Sequence, residues 1–292
     1  MKYTRCVTRW GQEFDLDGLT VLVGPNNSGK SQTLRDIHSF ITNDPQELVV
    51  LSSIKYDLPE SIPAHLDRLN PVPSSTNVGY HTYSSLSSSL REIHSVEYPR
   101  DGLSYFEKEE GRNDLRRYFG RFEVALLDAG SRLAVAQSSE SHDLNTDRPQ
   151  NLLQSLFLRK DIQERLDQAF FDTFGMHIRL DFTSLKRLYF RVSENFGVIP
   201  DDIQDANQMM RGFPNLDDQG DGFRSFVGVV LSVLLACDRL ILLDEPEAFL
   251  HPEQARRLGR WIAQESFRSS IQIVVSTHNS HFLQGLLSGR HP

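Results

Sequence analysis

The chain has 292 residues, 39% of them hydrophobic, and 31 lysines and arginines against 39 aspartates and glutamates give a formal net charge of −8. That length holds one large domain or about two ordinary ones, and the acidic balance excludes a wholesale basic surface for wrapping nucleic acid, leaving room only for a local basic stripe. Cys6 and Cys237 are the only cysteines and both lie among apolar neighbours, so a disulfide framework is not expected and a reducing, cytoplasmic setting is. The N-terminus lacks an apolar core of signal-peptide length, and the longest apolar run, 226–237, falls short of the roughly 20 residues that cross a bilayer.

In chain order, the first 55 residues alternate the strand-like runs YTRCVTRW, EFDL and LTVLV with turns, then give a helical SQTLRDIHSFI and another run, ELVVLSSI. That alternation predicts an α/β fold. Five prolines between 59 and 99, together with SSLSSSL, predict a loop-rich insertion over about 56–121. Within it, Arg112, Arg116, Arg117 and Arg121 either face a phosphate backbone or lie on a solvated helix face of mixed charge. FEVALLDAG reads as a return to the core sheet, and NLLQSLFLRKDIQERLDQAFFDTF has helical spacing before two strand-like runs, HIRLDF and RLYFRVS. The C-terminal stretch alternates helix, strand, helix, strand and helix. The expected organisation is a single domain with a discontinuous core (about 1–55, 122–148 and 215–292), the 56–121 insertion, and a helical lobe at 149–214.

Three motifs carry chemistry. In VLVGPNNSGKSQTL, Gly24, Gly29, Lys30 and Ser31 fit G-x-x-x-x-G-K-[ST] between a strand and a helix, which predicts a phosphate cradle. Its backbone from Gly24 through Pro25, Asn26, Asn27, Ser28 and Gly29 would wrap phosphate oxygens at a helix N-terminus, with Gln32 in the first turn. Lys30 would reach the β- and γ-phosphates of ATP, and Ser31 would bind Mg²⁺. In RLILLDEPEAFLHP a buried strand ends in Asp244, a candidate for the Mg²⁺ shell, and Glu245, a candidate general base. In IQIVVSTHNSHFL, His278 stands where an imidazole could contact the γ-phosphate, whereas His281 without nearby cysteines makes a poor zinc ligand.

GPNNSGKS, LLDEPEAFLHP and VVSTHNSHFL together resemble the ATP-binding-cassette heads of the SMC, RecF and overcoming-lysogenization-defect (OLD) branch, including its antiphage AAA-like ATPases. The resemblance implies a P-loop NTPase of the ABC-ATPase-head kind, with an N-terminal antiparallel β subdomain and an inserted lobe. It also implies a homodimer that closes head to tail, each ATP held between one subunit's phosphate loop and the other's signature motif. Gly220, Asp221 and Gly222, just before an apolar helix, occupy the signature position, although Asp221 replaces the usual serine; a flexible loop is the alternative. Gln137 is the candidate for the glutamine that senses Mg²⁺ and γ-phosphate, with an ordinary surface glutamine as its alternative, and Trp10 and Phe14 either flank adenine or pack in the core. OLD nucleases carry their nuclease domain after this point, so the effector is expected in a further domain or a separate protein, with DNA or RNA as its target and no membrane. A transporter's nucleotide-binding subunit and a non-hydrolysing nucleotide-gated scaffold are the alternatives. The missing LSGGQ-type signature speaks against the first, and the presence of Lys30 and Glu245 against the second.

Overall fold

The structure is a computed structural model and describes residues 1–44, 47–143, 147–236 and 238–289. Cys237 therefore lies outside the described residues, while Cys6 is a free, buried thiol whose pKa burial pushes up to about 12. The chain opens with β1 (Lys2–Thr8), β2 (Glu13–Asp15) and β3 (Leu19–Val23), followed by α1 (Lys30–Ile41) and β4 (Leu51–Asp57). Next come α2 (Ile62–Leu66), β5 (Val72–Pro73), β6 (Tyr80–Leu86), β7 (Ile93–Pro99) and α3 (Arg112–Phe119). Then β8 (Val124–Leu127), α4 (Ala129–Val135), β9 (Ser139–Glu140), α5 (Leu152–Phe157), α6 (Lys160–Phe174), β10 (His177–Asp181), β11 (Arg187–Ser193) and α7 (Ile203–Met210) follow. The chain closes with α8 (Asp221–Leu235), β12 (Leu240–Asp244), α9 (Pro252–Ser269), β13 (Ile273–Thr277) and α10 (Ser280–Gly289).

The central sheet is parallel, in the order β3-β13-β12-β8. Its strands are short apolar runs because both faces are covered. Leu240, Leu242, Val124 and Val274 pack with Leu34, Ile37 and Ile41 of α1 and with Tyr3 and Cys6 of β1. Alternate residues Ile241, Leu243, Ala125, Leu127, Ile273 and Val275 face the other way, onto Phe226, Val229 and Val230 of α8 and Leu258 and Ile262 of α9. The antiparallel sheet β2-β1-β4 is the N-terminal β subdomain that was expected. The α/β P-loop architecture read from the sequence is the one observed.

One segment differs from expectation in content. Residues 56–121 are not mainly loop: β5, β6 and β7 form an antiparallel sheet over a core of Ile62, Leu66, Tyr83, Leu103, Phe106, Phe119 and Phe122. The aromatic side chains that build this core recur at no regular period, so prolines and serines dominate the sequence pattern. Residues 149–214 hold α5, α6 and α7 together with the β10-β11 hairpin, to which β9 adds a third strand. Arg116 is buried, donating to the Phe40 carbonyl (2.8 Å) and lying over the Phe40 ring at 4.0 Å, so it serves packing, while Arg112, Arg117 and Arg121 are exposed.

The insertion is tied to the sheet by a buried carboxylate. Glu123, at the head of β8, accepts from His65 (2.8 Å) and from Arg68. Burial opposes its ionisation most strongly, yet the His65 hydrogen bond and the Arg68 charge overcome it and hold the carboxyl far below the usual range. A depressed folded-state pKa stabilises the fold above the unfolded value of about 4.3 and loses that contribution as pH falls through the folded value. Glu123→Gln is therefore expected to lower unfolding stability at pH 7 by about 3 kcal/mol, with the gap to the parent chain narrowing below about pH 4. Urea unfolding at both pH values checks this, and a gap that does not change with pH would contradict it.

Candidate functional site

The C-terminal ends of the parallel strands gather the polar groups, as open α/β sheets do where ligands bind. After β3 the loop turns through Gly29, at φ 88°, into α1. A side chain there would hold the backbone in a left-handed conformation that glycine adopts freely. No side chain caps α1 and no acid lies in its first turn, so its free N–H groups and positive dipole end are available to an anion. Lys30 is nearly buried, and its Nζ donates to the carbonyls of Gly24 and Pro25, both at 2.8 Å, so the loop is folded around an ammonium. Pro25, Asn26, Asn27 and Ser28 are exposed at the crest. The Gln32 side chain is turned away, donating to Asp36 (2.9 Å), whose other oxygen accepts the N–H groups of Val50 and Leu51.

Strand register brings the acids to this loop. Asp244 of β12 pairs with Ser276 of β13, and Thr277 of β13 with Val23 of β3. The Ser31 hydroxyl donates to Asp244 Oδ1 at 2.8 Å, and the Ser276 hydroxyl donates to the same oxygen. A hydroxyl and a carboxylate in contact at a helix N-terminus form a hard oxygen pair suited to Mg²⁺. Glu245 has φ 48°, left-handed for a side-chain-bearing residue, a conformation that persists where the surroundings over-determine it. Its N–H donates to the Ser276 carbonyl (3.0 Å), and its Oε1 lies 2.8 Å from His278 Nδ1. Both side chains are partly open to solvent, at 37% and 46% exposure, so water reaches the carboxylate.

Several residues passed over in the sequence belong to this cluster. Arg132, on α4, is fully buried and donates to the backbone carbonyls of Asp244 (2.6 Å) and Glu245 (3.0 Å). Glu247 is also buried: Thr277 Oγ1 donates to its Oε1 at 2.5 Å, its Oε2 has no hydrogen-bond partner among the described residues, and burial pushes its pKa up. The signal for Glu247 was its spacing, the second acid of EPE, but nothing local to Arg132 marks it. Asp128, at the end of β8, caps α4 by accepting from the Ser131 N–H (2.8 Å), which holds its carboxyl below the usual range.

Other expected residues stand apart. Gln137 lies past the end of α4, where it lines a 180 Å³ pocket with Leu90, Arg91, Asn151 and Leu153, and that lining includes no residue of the 24–31 loop. The two turns of α4 lie between the end of β8 and Gln137 along the chain. Gly222, in the first turn of α8, lies against Phe249, where a Cβ would meet the Phe249 carbonyl at 2.8 Å, whereas a Cβ at Gly220, just before the helix, would meet nothing within 4 Å among the described residues. Asp221 is neutralised by an ion pair with Arg224. Trp10 is 73% exposed on the β1–β2 turn, while Phe14 packs against the core. His281 sits exposed in the first turn of α10, and the capping side chain there is Asn279. Among the described residues no group of three or more His, Cys, Asp or Glu is gathered to hold a metal, and no helix is long and apolar enough to cross a membrane.

The fold and the strand-end loop define a nucleotide-binding domain of the P-loop ATPase class. Residues 19–284 match the family AAA_21, described as "AAA domain, putative AbiEii toxin, Type IV TA system", and the chain belongs to it. Nucleotide binding, usually with Mg²⁺, is what that class implies, and the Lys30-centred loop with the Ser31–Asp244 pair fits both. An SmcHead bound to the C-winged helix domain of ScpA is similar in fold, with TM-score 0.53 and 12% identity over 98% of this chain and 92% of that one. A Pyrococcus furiosus Smc head domain with an extended coiled coil aligns at TM-score 0.33 and 15% identity over 45% of this chain, which spans only 32% of that one. A nucleotide-free ATP-binding cassette from an ABC transporter aligns at TM-score 0.35 and 15% identity, over 99% and 85% of the two chains. No curated protein matches the sequence.

Proposed function

We propose that this chain binds and hydrolyses ATP, that two copies close head to tail around the nucleotide, and that the closed form controls a nucleic-acid-directed effector in phage defence or DNA processing. The observation that carries the ATPase reading is the convergence of Lys30, Ser31, Asp244, Glu245 and His278 at one sheet edge. Lys30 leaves the carbonyls of Gly24 and Pro25 for the substrate's phosphates, and the loop amides bind the oxygens beside it. Ser31 and Asp244 hold Mg²⁺, which when bound offsets the charge that develops on the phosphates. Glu245 accepts the proton of the attacking water, and His278 keeps the carboxylate in place through the 2.8 Å contact.

The dimer reading is supported by Gly220 and Gly222, which lie at a helix start that no side chain caps, leaving backbone N–H groups available to an anion. The effector reading is supported by the family's description, which names "putative AbiEii toxin, Type IV TA system", and by the SmcHead solved with a bound ScpA domain. Gly220→Glu tests the assembly more cleanly than a change at Gly222, because a Cβ at Gly220 meets nothing within 4 Å among the described residues, whereas one at Gly222 meets the Phe249 carbonyl at 2.8 Å. With ATP and Mg²⁺ the Glu245→Gln chain is expected to reach twice the monomer mass in light scattering. Adding Gly220→Glu returns it to the monomer with monomeric ATP binding retained, since a carboxylate is repelled by the partner's triphosphate in a desolvated interface while the cis cradle is untouched. A mass that does not respond to ATP would rule out the sandwich.

A further inference from the structure

Among the described residues no carboxylate lies within hydrogen-bond reach of the Arg132 guanidinium, although it is fully buried. Its partners are three backbone carbonyls and one hydroxyl: Leu127 (3.4 Å), Asp244 (2.6 Å), Glu245 (3.0 Å) and Ser225 Oγ, which its Nε reaches at 3.1 Å. Burial disfavours its charge most strongly, and Glu247, Asp244, Asp128 and Glu245 favour it from a distance. A buried cation held chiefly by carbonyls is an expensive way to fill a core. What the arrangement provides is geometry, because a planar fork with fixed donor directions grips two consecutive carbonyls at once. Those carbonyls flank the peptide at which the chain leaves β12 and Glu245 turns left-handed.

The third arm of the fork reaches α8. Ser225 is in the second turn of that helix, four residues after Asp221, and is itself buried. The same helix start presses on the stretch beyond the acids, where Gly222 leaves room for the Phe249 carbonyl. The acids and the first turns of α8 are thus joined twice within one subunit, through Arg132 and through Phe249.

We propose that Arg132 is a positioning residue for ATP hydrolysis: by bonding the carbonyls of Asp244 and Glu245 and the hydroxyl of Ser225, it holds the Glu245 carboxylate in line for water and links its pose to the start of α8. This rests on the reading of Glu245 as the base. Fully buried against backbone carbonyls, Arg132 acts only through the acid pair. Lysine keeps the charge but offers all its donors from one nitrogen, so it cannot reproduce contacts that Arg132 makes from three separate nitrogens, and Arg132→Lys frees the Glu245 turn while leaving the phosphate loop intact.

The test is a double-mutant cycle on turnover, with nucleotide affinity and binding stoichiometry measured alongside. Arg132→Lys is expected to lower kcat about tenfold with ATP affinity and stoichiometry unchanged, and Glu245→Gln to lower it about 100-fold. The double variant is expected to match Glu245→Gln within about twofold, since a positioning residue has nothing left to position. A general structural role would instead reduce stoichiometry or multiply the two losses, and either result overturns the proposal, as does parent-like turnover in Arg132→Lys. Parent-like turnover in Glu245→Gln would bring down the base assignment itself, and the proposal with it. If Arg132→Lys does not fold, Ser225→Ala carries the same test: a few-fold loss of kcat at unchanged affinity supports the link, and unchanged kcat overturns it.

Discussion

Glu245→Gln is expected to bind ATP as tightly as the parent chain and to turn it over about 100-fold more slowly, which is the lower end of what a positioned general base contributes. The expectation follows from geometry. Glutamine has nearly the same shape, can accept a hydrogen bond from water, and can keep a contact with His278, whose Nδ1 lies 2.8 Å from the present carboxylate. What it cannot do is take the proton that the attacking water loses. Binding is spared because the groups suited to ATP and Mg²⁺ are others: Lys30 in its loop, and Asp244 bonded to Ser31. Loss of kcat without loss of affinity is the mark of an interaction made only in the transition state. Phosphate release at saturating ATP, set beside an equilibrium titration, separates the two, and a variant that releases phosphate at the parent rate would show that the proton goes elsewhere.

The parts legible in the sequence were those whose chemistry is local. The phosphate loop is a contiguous run in which strand, glycines and helix start follow one another, and Asp244 and Glu245 end an apolar strand that only a buried parallel sheet accommodates. His278 was singled out from the end of β13, and the structure sets it against Glu245. Arg132 was invisible because its role depends on α4 meeting α8 and the end of β12, residues 93 and 112 positions away along the chain. Glu123 with His65 and Arg68 was hidden for the same reason. The sheet within 56–121 was read as loop because prolines and serines mask a core built from widely spaced aromatic residues. Gln137 went the other way: proximity in sequence to β8 suggested the site, but a two-turn helix separates it from the strand end.

Lys30→Ala is expected to weaken ATP binding by at least about 100-fold, a loss of roughly 3 kcal/mol, because a charge-assisted contact to a phosphate is among the stronger hydrogen bonds and no other cation stands in the loop. The objection is that Lys30 also pins Gly24 and Pro25, so the variant could lose the loop rather than the contact. Thermal unfolding separates these possibilities. The two carbonyls belong to a loop whose crest is open to water, and water can replace the ammonium there, so without nucleotide the variant's midpoint should lie close to that of the parent chain. At an ATP concentration 100 times the parent Kd, the parent gains about 2.7 kcal/mol of stability, whereas a variant bound 100-fold more weakly gains only about 0.4 kcal/mol. A small change without nucleotide together with a nearly absent ATP-induced rise assigns the effect to the phosphate contact. A large drop without nucleotide would assign it to the loop, and a full ATP-induced rise would mean that the nucleotide does not bind at Lys30.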